Sequence, residues 1–337
     1  MARYVISDIH GHYDMLIEML DFINFSKSDY LYILGDNIDR GEQNIEVLEF
    51  IRDNKNVESL IGNHELMMVE DIFISDTRIG LDRDGAWDNN GGRVVLEQLR
   101  QCEEEKSGYT QEMVDFINGW DYHKIIEMDG YKIVLIHSGF WDRTLDWDIE
   151  EMLKITPNFE KVWMRDDFLT NYGPKGIVTI FGHTQASYMH GSVLEKVYVN
   201  DRGNKIGIDC GVYRDNLLGC INIDTQEEFF VKNEGSGKIS RKKGDQRILW
   251  DSAKIRSEES VGELDVRYMR TYRKKQFWAT KGYNPSTRYE FAYDIDEALK
   301  QLNKRCSGNF ERETIGKGKF RFCDKLRDDY FEFEIMS

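Results

Sequence analysis

Up to about residue 62, short apolar runs alternate with amphipathic stretches. "RYVIS", "YLYIL" and "VESLI" have the length and side-chain content of strands, and between them Tyr13 to Ile23 and Glu42 to Ile51 carry apolar residues three and four apart, as helices do. A β-α-β-α-β series of this kind predicts a mostly parallel sheet with helices on its faces, and it gathers the polar residues at the strands' carboxyl ends on one rim. Asn89 to Glu105 then reads as a helix, and "DYHKIIEM" and "YKIVLIHSG" flank Asp129 and Gly130, a two-residue hairpin signal. "GIVTIFGHT", "NKIGIDCGV", "LGCINID" and "EEFFVK" supply further short strands. The expected fold class is α/β (α+β): two packed mixed β-sheets flanked by helices, with a small C-terminal α+β appendage.

The appendage follows from length and charge. A chain of 337 residues exceeds one ordinary domain, and its character changes near Glu234. After residue 233 there are 23 Lys and Arg against 18 Asp and Glu; before it, 22 against 43. "VKNEGSGKISRKKGD" spans the change and has the composition of a linker, so the expected domains are 1–233, a linker at 234–245, and 246–337. In the last, "KQFWAT", "RYEFAY", a helix over "DIDEALKQLNKRC", then "GKFRFCD" and "YFEFEI" make a strand-strand-helix-strand-strand module. Its basic residues are interspersed with acids, so nucleic acid is not the favoured partner, and its aromatic and basic alternation is read first as a half-buried strand.

No run of about 18 apolar residues exists to span a bilayer. The first strand leaves no room for a signal segment, so the cytoplasm is the expected compartment. Five scattered cysteines without a C-x-x-C pair indicate neither a disulfide framework nor a thiolate metal site.

Candidate chemistry sits where the strands end. "SDIHGH" follows the first strand, "GDNIDRG" the second and "GNHE" the third. Each alone suits an ordinary turn. Jointly they bring Asp8, His10, Asp36, Asp39, Arg40, Asn63, His64 and Glu65 to one rim, and His137 in "VLIHSG" and His183 in "TIFGHT" also follow strands. Oxygen and imidazole donors without thiolate suit Mn²⁺, Fe²⁺ or Zn²⁺. Asp8, His10, Asp36, Asn63, His137 and His183 would supply ligands for two such ions with one carboxylate bridging, and two-metal sites of this kind turn water into the nucleophile near neutral pH.

The ordered blocks "SDIHG", "GDNIDRG" and "GNHE", with "IHSG", "FGHT", "GNHELMM" and "WDNNGG", resemble the phosphoprotein phosphatase family of the calcineurin-like metallophosphoesterases. Within it they are similar to the branch of bacteriophage lambda phosphatase and the symmetrical diadenosine tetraphosphatases. The resemblance covers about residues 1–232. It implies the metallophosphoesterase fold, one metal held by Asp8, His10 and Asp36, and a second held by Asp36, Asn63, His137 and His183, with Mn²⁺ expected and Fe or Zn as alternatives. It implies that His64 protonates the leaving group with Asp39 oriented against it, and that Arg40 grips the phosphoryl oxygens beside Asn63. Arg165, in "VWMRDD", resembles a further phosphate-binding arginine. Glu65 is read as a helix-start or supporting residue, Met67, Met68, Trp87 and Trp163 as packing, and His12, His123 and His190 as rim or structural residues.

One position departs from the resemblance. Lambda-type phosphatases carry an arginine directly before the GNHE block, where this chain has Ile61. The leading expectation is a phosphatase acting on phosphomonoesters, serine/threonine phosphoproteins first. Cleavage of a dinucleoside polyphosphate or of a nucleic-acid phosphate end is the alternative, and a decayed binding module is the non-enzymatic one, against which every ligand position is filled.

Overall fold

The computed structural model describes residues 1–75, 78–81, 87–142, 148–170, 173–189 and 194–257, together with strand segments beyond them. Two compact units divide at Glu258 and Glu259.

In the first unit, β1 (Arg3–Ile6), α1 (Tyr13–Phe22), β2 (Tyr30–Ile33), α2 (Asn44–Asp53) and β3 (Val57–Ser59) follow one another as the apolar spacing predicts. The three strands are parallel neighbours, Ile6 opposite Ile33 and Leu31 opposite Val57. α3 (Asn63–Asp71), the hairpin β4 (Ile72–Ser75) and β5 (Arg78–Leu81), and a kinked turn at Asp88–Gly92 lead into α4 (Arg93–Glu105) and α5 (Tyr109–Asn118). β6 (His123–Met128) and β7 (Tyr131–Ile136) form the expected hairpin, Met128 opposite Tyr131. After α6 (Ile149–Ile155), α7 (Asn158–Trp163) and α8 (Asp166–Thr170) come β8 (Ile177–Phe181), α9 (Ala186–Met189), β9 (Tyr198–Val199), β10 (Lys205–Gly207), α10 (Val212–Asp215), β11 (Leu217–Asn222), β12 (Glu228–Asn233), β13 (Ile239–Lys243) and α11 (Ser252–Ser257).

These strands make two mixed sheets, β13-β12-β11-β1-β2-β3 and β6-β7-β8-β10-β9. The inner faces meet in one core, where Val5, Leu34, Ile221 and Phe230 of the first sheet pack with Ile133, Leu135, Val178 and Ile206 of the second. The alternate residues face outward, Tyr4 and Ile6 against Met15, Leu16 and Met19 of α1, and Val134 and Ile136 against Met152 and Leu153 of α6. Burial on both faces explains why these strands read as unbroken apolar runs. Each such side chain contributes roughly 1.5–3 kcal/mol. β1, β2 and β3 in one sheet are parallel to one another, as are β7, β8 and β10 in the other, and their carboxyl ends come together on one rim, where Asp36 meets His137.

The linker expected at 234–245 is corrected. After a turn closed by Glu234 N–H to Lys238 O at 2.9 Å, β13 returns antiparallel along β12 as the sheet's edge, with Asn233 opposite Ile239. Its Arg241, Lys242 and Lys243 pair with Glu18 and Asp21, Glu195, and Glu227. The residues that follow also belong to this unit. Arg247 bonds the buried carboxylate of Glu228 at 2.7 and 2.8 Å, Leu249 and Trp250 are each 1% exposed, and the Trp250 indole donates to Tyr131 Oη at 3.1 Å.

In the second unit, β14 (Met269–Arg270) pairs with β15 (Glu290–Phe291), and β16 (Phe310–Gly316), β17 (Lys319–Asp324) and β18 (Asp329–Glu334) form an antiparallel meander. The last two strands fall on "GKFRFCD" and "YFEFEI"; "KQFWAT" and the helix expected over "DIDEALKQLNKRC" lie outside the described residues. No helix among the described residues is long and apolar enough to cross a membrane.

Candidate active site

Past the last paired residues of β1 and β2 the two chains stay together. Asp8 N–H donates to Gly35 O at 3.1 Å, His10 N–H to Asp36 O at 2.9 Å and Gly11 N–H to Asn37 O at 2.8 Å. Turning the side chains to the rim strains the backbone. Of eleven described non-glycine residues with positive φ, six are Asp8, His10, Asp36, Asp39, Arg40 and His183. Each such residue costs on the order of 1 kcal/mol, which surrounding contacts must offset.

Glu65 provides many of those contacts. It lies in the first turn of α3 and is 0% exposed; Oε2 accepts the backbone N–H groups of Asp36 (2.9 Å) and Gly62 (2.8 Å), while Oε1 accepts from Asn37 N (2.7 Å) and Asn37 Nδ2 (3.2 Å). Its carboxylate therefore ties the loops after β2 and β3 together, and it takes up donors where a metal ligand would be bare. Gly62 has to be glycine, since a Cβ there would lie 2.3 Å from Asp36 Oδ1.

Asp36 is central. Its Oδ1 accepts the His64 backbone N–H at 3.0 Å and lies 3.3 Å from His137 Nε2, while Oδ2 faces His10 Nε2 at 3.7 Å and His64 Nε2 at 3.9 Å. Two groups of donor atoms fit a cation, each within 4.8 Å: Asp36, His137 and His183 on one side, and His10, Asp36 and His64 on the other. Asn63 Oδ1 adjoins the first group, 3.0 Å from His137 Nε2. Asp8 lies at the same rim with its Oδ2 turned to Ser7 Oγ (2.5 Å) and to the His183 backbone N–H (3.1 Å).

The donor chemistry suits divalent cations. His10 and His137 bond the backbone carbonyls of Ile38 (2.9 Å) and Leu34 (2.8 Å) through Nδ1, leaving Nε2 toward the site. His183 Nε2 is buried without a hydrogen-bonding partner, and the backbone of Trp163 holds the same ring. Burial pushes His10 and His183 well below the ordinary imidazole range, aided by Arg40 and by His137 respectively, and it lowers His137 as well. Neutral imidazoles are the form that ligates metal. Asp36 is pushed well above the ordinary carboxylate range by burial, then by Asp8 and Glu65. A cation among these carboxylates relieves that crowding.

Beside this cluster His64 Nδ1 and Asp39 Oδ2 lie 2.6 Å apart. Burial, then His10 and Arg40, pushes His64 well below its ordinary range, while burial pushes Asp39 well above. Burial thus disfavours the charged form of both partners of this short contact. Arg40 spans the imidazoles, Nη1 2.8 Å from His10 Nε2 and Nη2 2.8 Å from His64 Nε2, with Tyr213 at 5.4 Å from its Cζ. Arg165 is exposed; its Nη1 donates to His183 O at 2.9 Å and Thr184 Oγ1 at 3.0 Å. Ile61 is 3% exposed and packs in the core around α3 and α4.

Two residues at the rim escape the sequence reading. Asp209 follows β10, is 5% exposed, accepts the Gly211 N–H at 2.8 Å, and is pushed well above its ordinary range by burial and then by Asp8. The signal was an acid two residues past an apolar strand, as at Asp8. Trp87, expected as packing, is buried in the α3 and α4 core but also donates its indole N–H to Asp39, 2.9 Å from each carboxylate oxygen.

The family model for calcineurin-like phosphoesterases matches residues 1–209. A serine/threonine-protein phosphatase 2 of Salmonella typhimurium is 31% identical over 231 residues, covering 65% of this chain and 92% of its own. A symmetrical bis(5'-nucleosyl)-tetraphosphatase of Wigglesworthia glossinidia brevipalpis is 42% identical over 71 residues, 20% of this chain and 26% of its own. The crystal structure of a putative diadenosine tetraphosphatase superposes at a TM-score of 0.44 with 14% identity, over 73% of this chain and 94% of that one.

Proposed function

The chain belongs to the calcineurin-like phosphoesterase family, and we propose that Asp8, His10, Asp36, Asn63, His137 and His183 hold two divalent cations, Mn²⁺ first and Fe or Zn as alternatives, in an enzyme that hydrolyses phosphomonoesters. Bound there, such ions would supply a water nucleophile of lowered pKa and neutralise phosphoryl charge.

The observation that carries this reading is Asp36, whose two oxygens face His137 on one side and His10 on the other. A carboxylate so placed serves both groups of donors. Arg40 lies against the His10 and His64 side of the cluster with a planar fork that matches two phosphoryl oxygens better than an ammonium does. When it turns to the phosphate, the freed His64 Nε2 can take up a proton from water and pass it to the departing alkoxide, while Asp39 holds the ring through Nδ1 and offsets the imidazolium charge. Arg165, fixed by the His183 carbonyl, supplies a second guanidinium at the rim.

Phosphoserine and phosphothreonine in proteins are the substrates proposed first, because the relative aligned over most of its own length is a serine/threonine-protein phosphatase. Ile61 favours a second reading, a dinucleoside polyphosphate hydrolase, since a buried isoleucine offers no guanidinium where lambda-type phosphatases have one.

The deciding experiment strips the protein of metal, restores Mn²⁺, and measures hydrolysis of an aryl phosphate, a phosphothreonine peptide and diadenosine tetraphosphate side by side. Restored activity that Asp36→Asn abolishes is expected, and the preferred substrate then separates the two readings. Three inert substrates with metal demonstrably bound would overturn the phosphatase reading.

A further inference from the structure

The motif "WDNNGG" at 87–92 is not used by the metal ligands or by the phosphate clamp. A tryptophan buried to 0% exposure must satisfy its indole N–H, and this one does so 48 residues away in sequence, donating to both Asp39 oxygens at 2.9 Å. The rest of the turn holds it there. Trp87 N–H donates to Asp71 Oδ2 at 2.8 Å, which ties the residue to the end of α3. Gly92 lies flat on the indole, since a Cβ at that position would stand 2.4 Å from Nε1 and Cε2. Gly91, at φ +103°, brings the same turn against the backbone of Arg40.

We propose that Trp87 is a positioning residue for the reaction: its indole N–H fixes the Asp39 carboxylate, and through it the ring of His64, so that Nε2 faces the departing oxygen. Asp39 makes three contacts in a 0% exposed pocket, two from Trp87 Nε1 and one with His64 Nδ1 at 2.6 Å. With the indole removed the carboxylate can rotate about its last bond, and the imidazole loses its fixed plane. Core packing alone would need only the ring. The neighbours of Trp87 in the α3 and α4 core, Met68, Val95, Leu96 and Leu99 among them, are apolar and indifferent to an N–H.

The inference rests on reading His64 as the proton donor, so the test carries its own control. Trp87→Phe and, at the same position, 3-benzothienylalanine, which keeps the indole's shape and replaces N–H by sulfur, are compared with His64→Asn on 4-nitrophenyl phosphate and phenyl phosphate at full metal occupancy. General acid help matters most for the poorer leaving group. Both Trp87 replacements should lower kcat on phenyl phosphate by about 10-fold or more, change it less than about 3-fold on 4-nitrophenyl phosphate, and leave KM in place. They should also shift or erase the low-field imidazole proton of the short His64–Asp39 contact in ¹H NMR spectra of the metal-free protein. Equal losses on both substrates, or no loss, while His64→Asn shows the leaving-group dependence would overturn the role of Trp87. If His64→Asn itself shows no such dependence, the donor reading fails and the inference falls with it.

Discussion

Glu65 Oε2 accepts the backbone N–H of Asp36 at 2.9 Å. Asp36, at the centre of the donor cluster, is therefore held in its left-handed backbone conformation by a side chain from the opening of α3, which also takes N–H groups from Gly62 and Asn37. Glu65→Ala leaves the buried backbone N–H groups of Asp36, Gly62 and Asn37 without this partner, at about 1–3 kcal/mol each, while the Asn37 side chain keeps Ser59 Oγ. A loss of at least about 3 kcal/mol in denaturant unfolding is expected, with metal content falling alongside. Unchanged stability would show that water replaces the carboxylate at no cost.

Arg40 makes its contacts through two nitrogens of one planar group. Arg40→Lys keeps the charge and loses the fork. A fall of roughly 10-fold to 100-fold in kcat/KM for phosphorylated substrates is expected, with bound metal unchanged, since hydrogen bonds to charged groups are worth about 1.5–3 kcal/mol. Steady-state kinetics beside metal analysis checks this.

The six proposed ligands can be read directly from the sequence, because each of Asp8, His10, Asp36, Asn63, His137 and His183 follows an apolar run that had to be a strand. Asp209 was lost for the same physical reason in reverse. "NKIGIDCGV" reads as one continuous strand, but pairing stops at Gly207, and the residues after it turn to the rim. The Trp87–Asp39 bond joins positions too far apart for any local pattern to show. The misplaced linker has another cause. Edge strands are protected with charge, and a glycine-rich turn followed by Lys and Arg has the same composition as a flexible tether.

Asp209 gives a pH prediction. Its folded-state pKa is raised by burial and by Asp8, so its contribution to stability is fully present below the unfolded value of about 3.9 and is lost as pH rises through the folded value. Asp209→Asn keeps an oxygen for the Gly211 N–H and removes the ionisation. In the metal-free protein the variant should melt higher than wild type at pH 7, and the difference should shrink toward pH 4. A difference independent of pH would rule out this origin.

The boundary after Glu258 is also testable. Residues 234–257 complete the first sheet and bury Leu249 and Trp250, and losing a buried tryptophan alone costs roughly 3–5 kcal/mol. A chain ending at residue 258 should unfold cooperatively and retain metal-dependent phosphatase activity. A chain ending at 233 should show neither.

β13 has a further consequence for the molecule in a crowded solution. An outermost strand normally invites another polypeptide to add to it by backbone hydrogen bonding. Here the incoming chain would meet Arg241, Lys242 and Lys243, each already neutralised by an acid on the molecule's own surface. Charge along an outermost strand is a general guard against such edge-to-edge pairing, and here it is held in place by acids of α1 and of the neighbouring loops.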